Sequence, residues 1–175
     1  MEPIKKLRSP ESIADNTKKI LAIESWSLVG RLAVRSAKES WLTSLKWHHN
    51  TLVDALTLST SLGGVVAKLN YSNQVFSLSN SDGHMRETSN AELQSLLGYP
   101  PPLQHLTFWV RGVPNPDIAV DDKAMNSRGA LVFKQDGWDV KLERFDLFSD
   151  LVLPTRVTLI KNGLKIKLVV DEWLT

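Results

Sequence analysis

The sequence predicts a mainly β protein with a minor helical component, an α+β chain of antiparallel strands joined by tight turns. Three features carry that prediction. Apolar and polar residues alternate with a period of two from Trp26 onward. Asp82-Gly83, Asp136-Gly137 and Asn162-Gly163 stand between such runs, and these dipeptides accept the positive φ angles of two-residue hairpins. Two other stretches, one near the start and one at 89–112, carry capping residues and helical spacing instead.

The first element is a helix. Ser9-Pro10-Glu11 offers a capping hydroxyl, a proline for the first turn and an acid near the positive helix end. Ile13, Ile20 and Leu21 recur at i, i+7 and i+8, which predicts one apolar face. In "WSLVGRLAVR" Trp26, Leu28, Leu32 and Val34 share a face, with Arg31 and Arg35 on the other. "WLTSLKW" sets Trp41, Leu45 and Trp47 against Ser44 and Lys46, and the strands "LVDALTLST", "VVAKL" and "QVFSLS" follow. A helical island comes next. Ser89 and Glu92 form a capping box, Leu93, Leu96 and Leu97 an apolar stripe, and Gly98 suits the left-handed position after a helix. A second helix starts on the prolines 100–102. It places Leu103, Leu106 and Val110 on one face with Phe108 and Trp109 beside them, and Gly112 and Pro114 end it. After a loop, "PNPDIAVDDKAMNSRG", two hairpins close the chain: "ALVFKQDGWDVKLERF" and "TRVTLIKNGLKIKLVVDEW". In the final strand Leu164, Ile166, Leu168 and Val170 alternate with Lys165 and Lys167. Strands with one apolar face need cover, by closure into a barrel or by helices packed over them.

A chain of 175 residues with 42% hydrophobic and 23% charged side chains can build one domain with a sizeable core. Short connections predict a single unit over 1–175: an N-terminal segment with its helix at 1–24, first strands at 25–88, covering helices at 89–112 and remaining strands at 113–175. A net charge of +2 is too mild for a nucleic-acid partner, though it allows weak attraction to an anionic membrane surface. The chain has no cysteine, which excludes disulfides, thiolate catalysis and cysteine-ligated zinc. No run of about 18 apolar residues spans a bilayer as a helix, and "MEPIKKLRSPES" lacks a signal core.

The sequence offers little chemistry. There is no G-x-S-x-G elbow, phosphate-cradling glycine loop or H-E-x-x-H. His48 and His49 are strand neighbours that point to opposite faces. His84 and His105 are isolated and read as solvated loop or rim side chains. Asp121-Asp122 and Asp171-Glu172 are adjacent acids without a partner that spacing supplies, and Gly63-Gly64 lacks a following helix, so it reads as turn geometry. Neither metal, cofactor nor enzymatic activity is expected. What remains is a set of apolar and aromatic side chains on one sheet face. Such a face either fills a core or lines a ligand cavity, and small barrels do both. Trp41, Trp47, Trp109 and Trp138 are flat surfaces suited to such a lining. Leu62, in "TSLGGVV", is a large apolar residue at a chain reversal; the ordinary place for it is folded back on the core.

The ordered set "WSLVGRLAV", "LSTSLGGVVAKL", "SDGHMRETSNAELQSLLGYPPPLQHLTFWVRGVP", "QDGWDVKLERF" and "LPTRVTLIKNGLKIKLVVDEW" covers most of Trp26 to Trp173. It resembles the LolB family of outer-membrane lipoprotein receptors. The resemblance implies an open, incomplete antiparallel β-barrel with helices across its mouth and a hydrophobic cavity between. It implies a receptor that accepts acylated lipoproteins from a LolA-like periplasmic carrier of the same fold. The receptor then inserts them into the inner leaflet of the outer membrane, so outer-membrane phospholipid is its other partner. Leu62 falls on the leucine of the family's protruding turn, which is tied to membrane insertion, and 89–112 falls on the helix pair over the barrel. The acyl-chain cavity is then expected to draw on Trp41, Leu45, Trp47, Leu56, Leu58, Leu69, Leu78, Leu96, Leu106, Trp109 and Trp138. Pro100-Pro101-Pro102 and the loop 113–129 flank the second covering helix and are placed to let it move. Family members are acylated on an N-terminal cysteine. Its absence leads to the expectation of a mature chain without signal peptide or anchor cysteine, from a protein held at the periplasmic face of the outer membrane as a monomer. Two readings from other classes stay open: a hydrolase of lipid substrates, and a structural outer-membrane β domain with a solid core. Arg31, Arg35 and Lys46 face solvent or an acidic carrier.

Overall fold

The computed structural model describes residues 10–59, 65–79, 84–97 and 102–174, with the backbone only at 10, 11, 65, 66, 96 and 97. A helix, α1 (Pro10–Leu21), precedes β1 (Trp26–Arg35), β2 (Ser40–His49), β3 (Asp54–Ser59), β4 (Val65–Ser72), β5 (Val75–Ser79) and β6 (Met85–Thr88). Two helices follow, α2 (Asn90–Leu97) and α3 (Leu103–Trp109). Then come β7 (Asp121–Met125), β8 (Leu131–Gln135), β9 (Trp138–Phe148), β10 (Leu151–Lys161) and β11 (Leu164–Leu174). These strands form one sheet in the order β6-β5-β4-β3-β2-β1-β11-β10-β9-β8-β7, and all its pairings are antiparallel.

Each half of the chain is a meander, and the first and last strands join the halves, from Ser27 opposite Leu174 to Arg35 opposite Lys165. β6 and β7 are the two edges, so the sheet curls into an open barrel without closing. The period-two patterns hold. Trp26, Leu28, Gly30, Leu32 and Val34 turn inward on β1, and Trp138, Val140 and Leu142 do so on β9. Asp136-Gly137 and Asn162-Gly163 all take positive φ, as hairpin turns of the primed type require.

The sheet is incompletely zipped. β10 pairs with β11 from Arg156 to Lys161 only, so the backbone near Val152 has no strand on that side. Asn16 of α1 takes its place. The Asn16 side-chain amide donates to the Val152 carbonyl at 3.1 Å and accepts from the Val152 N–H at 3.0 Å. One amide thus satisfies the donor and acceptor a neighbouring strand would have paired. This placement corrects the apolar face predicted for α1: Ile20 is buried, whereas Ile13 and Leu21 stay exposed, because the helix meets the sheet along the Asn16–Ile20 line. The loop predicted at 113–129 contains an edge strand, β7. All five of its residues are exposed, so it has no apolar alternation to betray it.

Candidate functional site

On the concave face, six consecutive strands of the sheet, β4 to β10, surround an apolar cavity of about 40 Å³. One half of the chain supplies Leu32 from β1, Trp41, Leu45 and Trp47 from β2, Leu56 and Leu58 from β3, and Leu69 from β4. The other half supplies Val157 and Leu159 from β10 and Ile166 and Leu168 from β11. α3 caps the space with Leu103 and Leu106, and Pro102 precedes them. None of the described lining side chains is charged. Trp47 commits its one polar atom to Asp54, with Nε1 donating to Oδ1 at 2.9 Å. The space holds no more than a few water-sized spheres, whereas pockets that enclose drug-sized ligands run to roughly 300–1,000 Å³. An occupant therefore has to displace the cap or the lining.

Seven of the side chains singled out from the sequence line this cavity: Trp41, Leu45, Trp47, Leu56, Leu58, Leu69 and Leu106. Leu78 is buried on β5 but belongs to the packed core beyond the cavity. The side chain of Leu96, and all of Leu62, lie outside the described residues. Trp109 is fully buried and does not line the cavity, because its indole N–H needs an acceptor and finds Gln135 Oε1 at 2.7 Å. Trp138 turns to the rim, under the Lys161 ammonium at 5.5 Å, and borders a groove of about 870 Å³. That groove touches the cavity at Pro102, which lines both. Leu32, Leu103, Val157, Leu159, Ile166 and Leu168 were missed, although the alternation of "LKIKL" was a signal for two of them.

A polar cluster fastens a face of α3 that does not line the cavity. His105, expected to be solvated, is buried. Its Nε2 lies 2.9 Å from Asp136 Oδ2 and its Nδ1 3.1 Å from Asn115 Nδ2. Asn115 Oδ1 already accepts from the Asp117 N–H, which fixes the amide. Asn115 Nδ2 therefore donates to Nδ1, and the Nε2–H of a neutral ring donates to Asp136. Gln135 Oε1 accepts from Trp109 Nε1 and the Asn115 N–H, while its Nε2 donates to the carbonyls of Asn115 and Ile118. Every polar group of that amide is used. The N-terminus of α3 has no side-chain cap.

Two close pairs invite a catalytic reading and do not support it. Ser27 Oγ lies 2.7 Å from His48 Nδ1, and His49 Nδ1 lies 2.6 Å from Asp54 Oδ1. The histidines occupy adjacent positions of β2 and face opposite sides, so serine, imidazole and carboxylate form no single relay. Asp171, expected to be unpartnered, takes Arg31 through both oxygens at 2.8 and 3.1 Å. Among the described residues no group of three or more His, Cys, Asp or Glu side chains is placed to hold a metal, and no helix is long and apolar enough to cross a membrane.

Comparison with known proteins agrees with this geometry. A solved LolA-superfamily protein from Nitrosomonas europaea superposes with a TM-score of 0.54, covering 94% of this chain and 92% of its own, at 10% identity. That likeness is one of fold. An outer-membrane lipoprotein LolB from Nitrosomonas europaea is 29% identical over 157 residues, covering 87% of this chain and 74% of the relative. One from Pseudomonas fluorescens is 30% identical over 171 residues, covering 94% and 82%. The family profile described as "Outer membrane lipoprotein LolB" matches residues 24–173, and the chain belongs to the LolB family.

Proposed function

We propose that this chain receives the acyl chains of lipoproteins from a LolA-like periplasmic carrier and passes them to the inner leaflet of the outer membrane, without covalent chemistry. The observation that carries this reading is the uncharged cavity under α3, formed by both halves of the sheet. Exposing one long acyl chain to water costs on the order of 10 kcal/mol, at roughly 0.8 kcal/mol per methylene. An apolar cavity removes most of that barrier. Transfer between two such cavities, and from cavity to bilayer, is then close to isoenergetic, and small affinity differences set its direction. No bond is made or broken, so no catalytic residue is required.

The test is a hand-over assay with a lipoprotein–carrier complex and phospholipid vesicles. Wild-type protein is expected to release the lipoprotein and deliver it to the vesicles. Leu106→Glu, which puts a charge on the cap of the cavity, is expected to lose acceptance by at least roughly tenfold, since an unpaired charge in an apolar site costs several times RT. Leu62→Glu is expected to accept cargo and fail to insert it, because a single leucine contributes only about 2 kcal/mol to a leaflet contact and serves a transient step. Saturable wild-type binding of a fluorescent fatty acid belongs to the same experiment. Its absence would mean that the 40 Å³ space is a packing defect in a solid core and would sink the proposal.

The closed cavity makes α3 the lid and the His105–Asp136 pair one of its fasteners. Asp136 sits at φ 50, where glycine is at ease. Asp136→Gly therefore keeps the turn but leaves the buried His105 Nε2–H without an acceptor, a cost of about 1–3 kcal/mol to the closed state. The fraction of protein competent to bind rises accordingly, and the apparent Kd for a fatty-acid probe is expected to fall about tenfold. Unchanged or weaker binding in a titration would show that α3 is not the lid.

A further inference from the structure

We propose that the outer sheet face behind the cavity, where β2, β1 and β11 end at Ser40, Arg35 and Lys165, docks on an anionic phospholipid surface. A concave groove of about 390 Å³ lies there, and Arg35, Lys165 and Lys167 line it together with Leu42. Arg35 stands directly opposite Lys165 across the β1–β11 pair, and like charges in that position repel. None of the three cations makes an ion pair among the described residues. Among carboxylates of the sheet, Asp171 is taken by Arg31, Asp139 by Lys134 and Glu143 by Lys141, and Glu39, in the turn between β1 and β2, does not line the groove. The fold thus holds three like charges together with no carboxylate in contact among the described residues.

The apolar part of the groove decides which anion. Leu42 is 73% exposed on this face, and Ile160, opposite Lys165, is 42% exposed. A solvated strand face has no use for a leucine among lysines, and a free phosphate has none either. Cations beside protruding aliphatic side chains match a leaflet surface, where phosphates meet the cations and the aliphatic groups enter the headgroup boundary. Trp41 lines both this groove and the apolar cavity. An amphipathic indole at that junction suits a membrane interface, so docking here would bring the wall of the cavity against the leaflet. That consequence, though not the docking, rests on the cavity being the acyl-chain site.

The experiment is co-sedimentation with vesicles of phosphatidylglycerol mixed with phosphatidylethanolamine, against vesicles of phosphatidylcholine alone. Wild-type protein is expected to bind the anionic vesicles selectively. Lys165→Gln with Lys167→Gln is expected to weaken that binding about 30-fold, and Leu42→Ser to weaken it without altering its salt dependence. Lys123→Gln with Arg128→Gln removes the same charge from exposed positions on β7 and the turn after it and is expected to leave binding unchanged. Equal loss in both pairs would reduce the effect to net charge and overturn the proposal. So would complete competition by inorganic phosphate, which would make the groove a phosphate site. Normal vesicle binding by the Lys165/Lys167 variant combined with failure to take cargo from the carrier would assign the patch to an acidic protein and overturn it as well. Fatty-acid binding, measured on the same variants, reports on the cavity separately and is expected to stay at the wild-type level.

Discussion

Replacing Gly30 by alanine is expected to lower the free energy of unfolding by about 3 kcal/mol, the upper end of the usual overpacking range. Gly30 sits mid-strand on β1, opposite Leu45 on one side and Val170 on the other, where the β1–β11 register shifts. A Cβ built there would overlap the Val169 carbonyl oxygen. That atom is backbone, so no rotamer change relieves the contact, and β1 or β11 must move. The backbone angle of Gly30 is not among the positive ones, so the cost is space alone. The bulge also bends β1 beside Leu32 and Leu45, both of which line the cavity. Urea denaturation should show a lower midpoint with an unchanged slope. A midpoint equal to that of wild type would mean that the seam between the two halves yields easily. Fatty-acid binding is expected to weaken with stability, since both sides of the seam supply lining residues.

How much of this was legible beforehand follows from what each residue needs. Period-two alternation reports on a strand's own two faces, so β1, β2, β9 and β11 could be read from the chain. The hairpin dipeptides could be read because positive φ restricts which residues fit. Alternation says nothing about which inward side chains border empty space and which touch each other. That depends on how the strands curve: Leu78 and Leu69 are opposite one another on β5 and β4, yet only Leu69 reaches the cavity. Long-range polar pairing was also invisible. His105 and Asp136 are 31 residues apart, and Asn16 meets Val152 across 136. Neither pairing leaves a local pattern, and an isolated histidine reads as solvated until its partner is known. The family resemblance gave fold and role together because the order of motifs encodes topology, which no single motif does.

The lid reading gains from where these hidden pairs fall. His105 and Trp109 lie on one face of α3, where they bond to Asp136, Asn115 and Gln135, while Leu103 and Leu106 on another face, with Pro102 before them, cover the cavity with apolar contacts. Directional bonds resist displacement more sharply than apolar contacts do, and apolar contacts can be exchanged for an acyl chain at little cost. A helix held by bonds on one face and by exchangeable apolar contacts on another would open at the cost of those bonds, of which His105–Asp136 is one. The rim groove meets the cavity at Pro102, next to Leu103.

Arg111→Ala is expected to cost about 4 kcal/mol and to release α1 from the barrel. Arg111 follows α3 and is buried, yet it meets no carboxylate at bonding distance among the described residues. Its Nε donates to the Thr107 carbonyl at 2.8 Å and an Nη to the Ile20 carbonyl at 2.9 Å. These carbonyls belong to the last turns of α3 and α1, where helix dipoles favour a cation. The guanidinium also lies over the rings of Phe108 and Trp26, at 5.3 and 6.0 Å. Burial pushes its pKa down to about 10, against a weaker upward pull from Asp54. The folded value is below the unfolded one, so the burial cost is present in full below about pH 10 and is relieved only above it. The side chain is therefore charged in both states at neutral pH, and the stability lost on substitution should not vary between pH 5 and 8. Two charge-assisted hydrogen bonds at about 1.5–3 kcal/mol each, less the relieved burial cost and with a void added, give the stated magnitude. Arg111→Met should lose about 2 kcal/mol less than alanine, because it fills the space without supplying donors. Hydrogen exchange separates this from a general loss of packing. Amides of 12–22 in the alanine variant should exchange well before those of β1 and β11. If all exchange together, Arg111 supports the whole barrel, and the clasp between α1 and α3 is not its role.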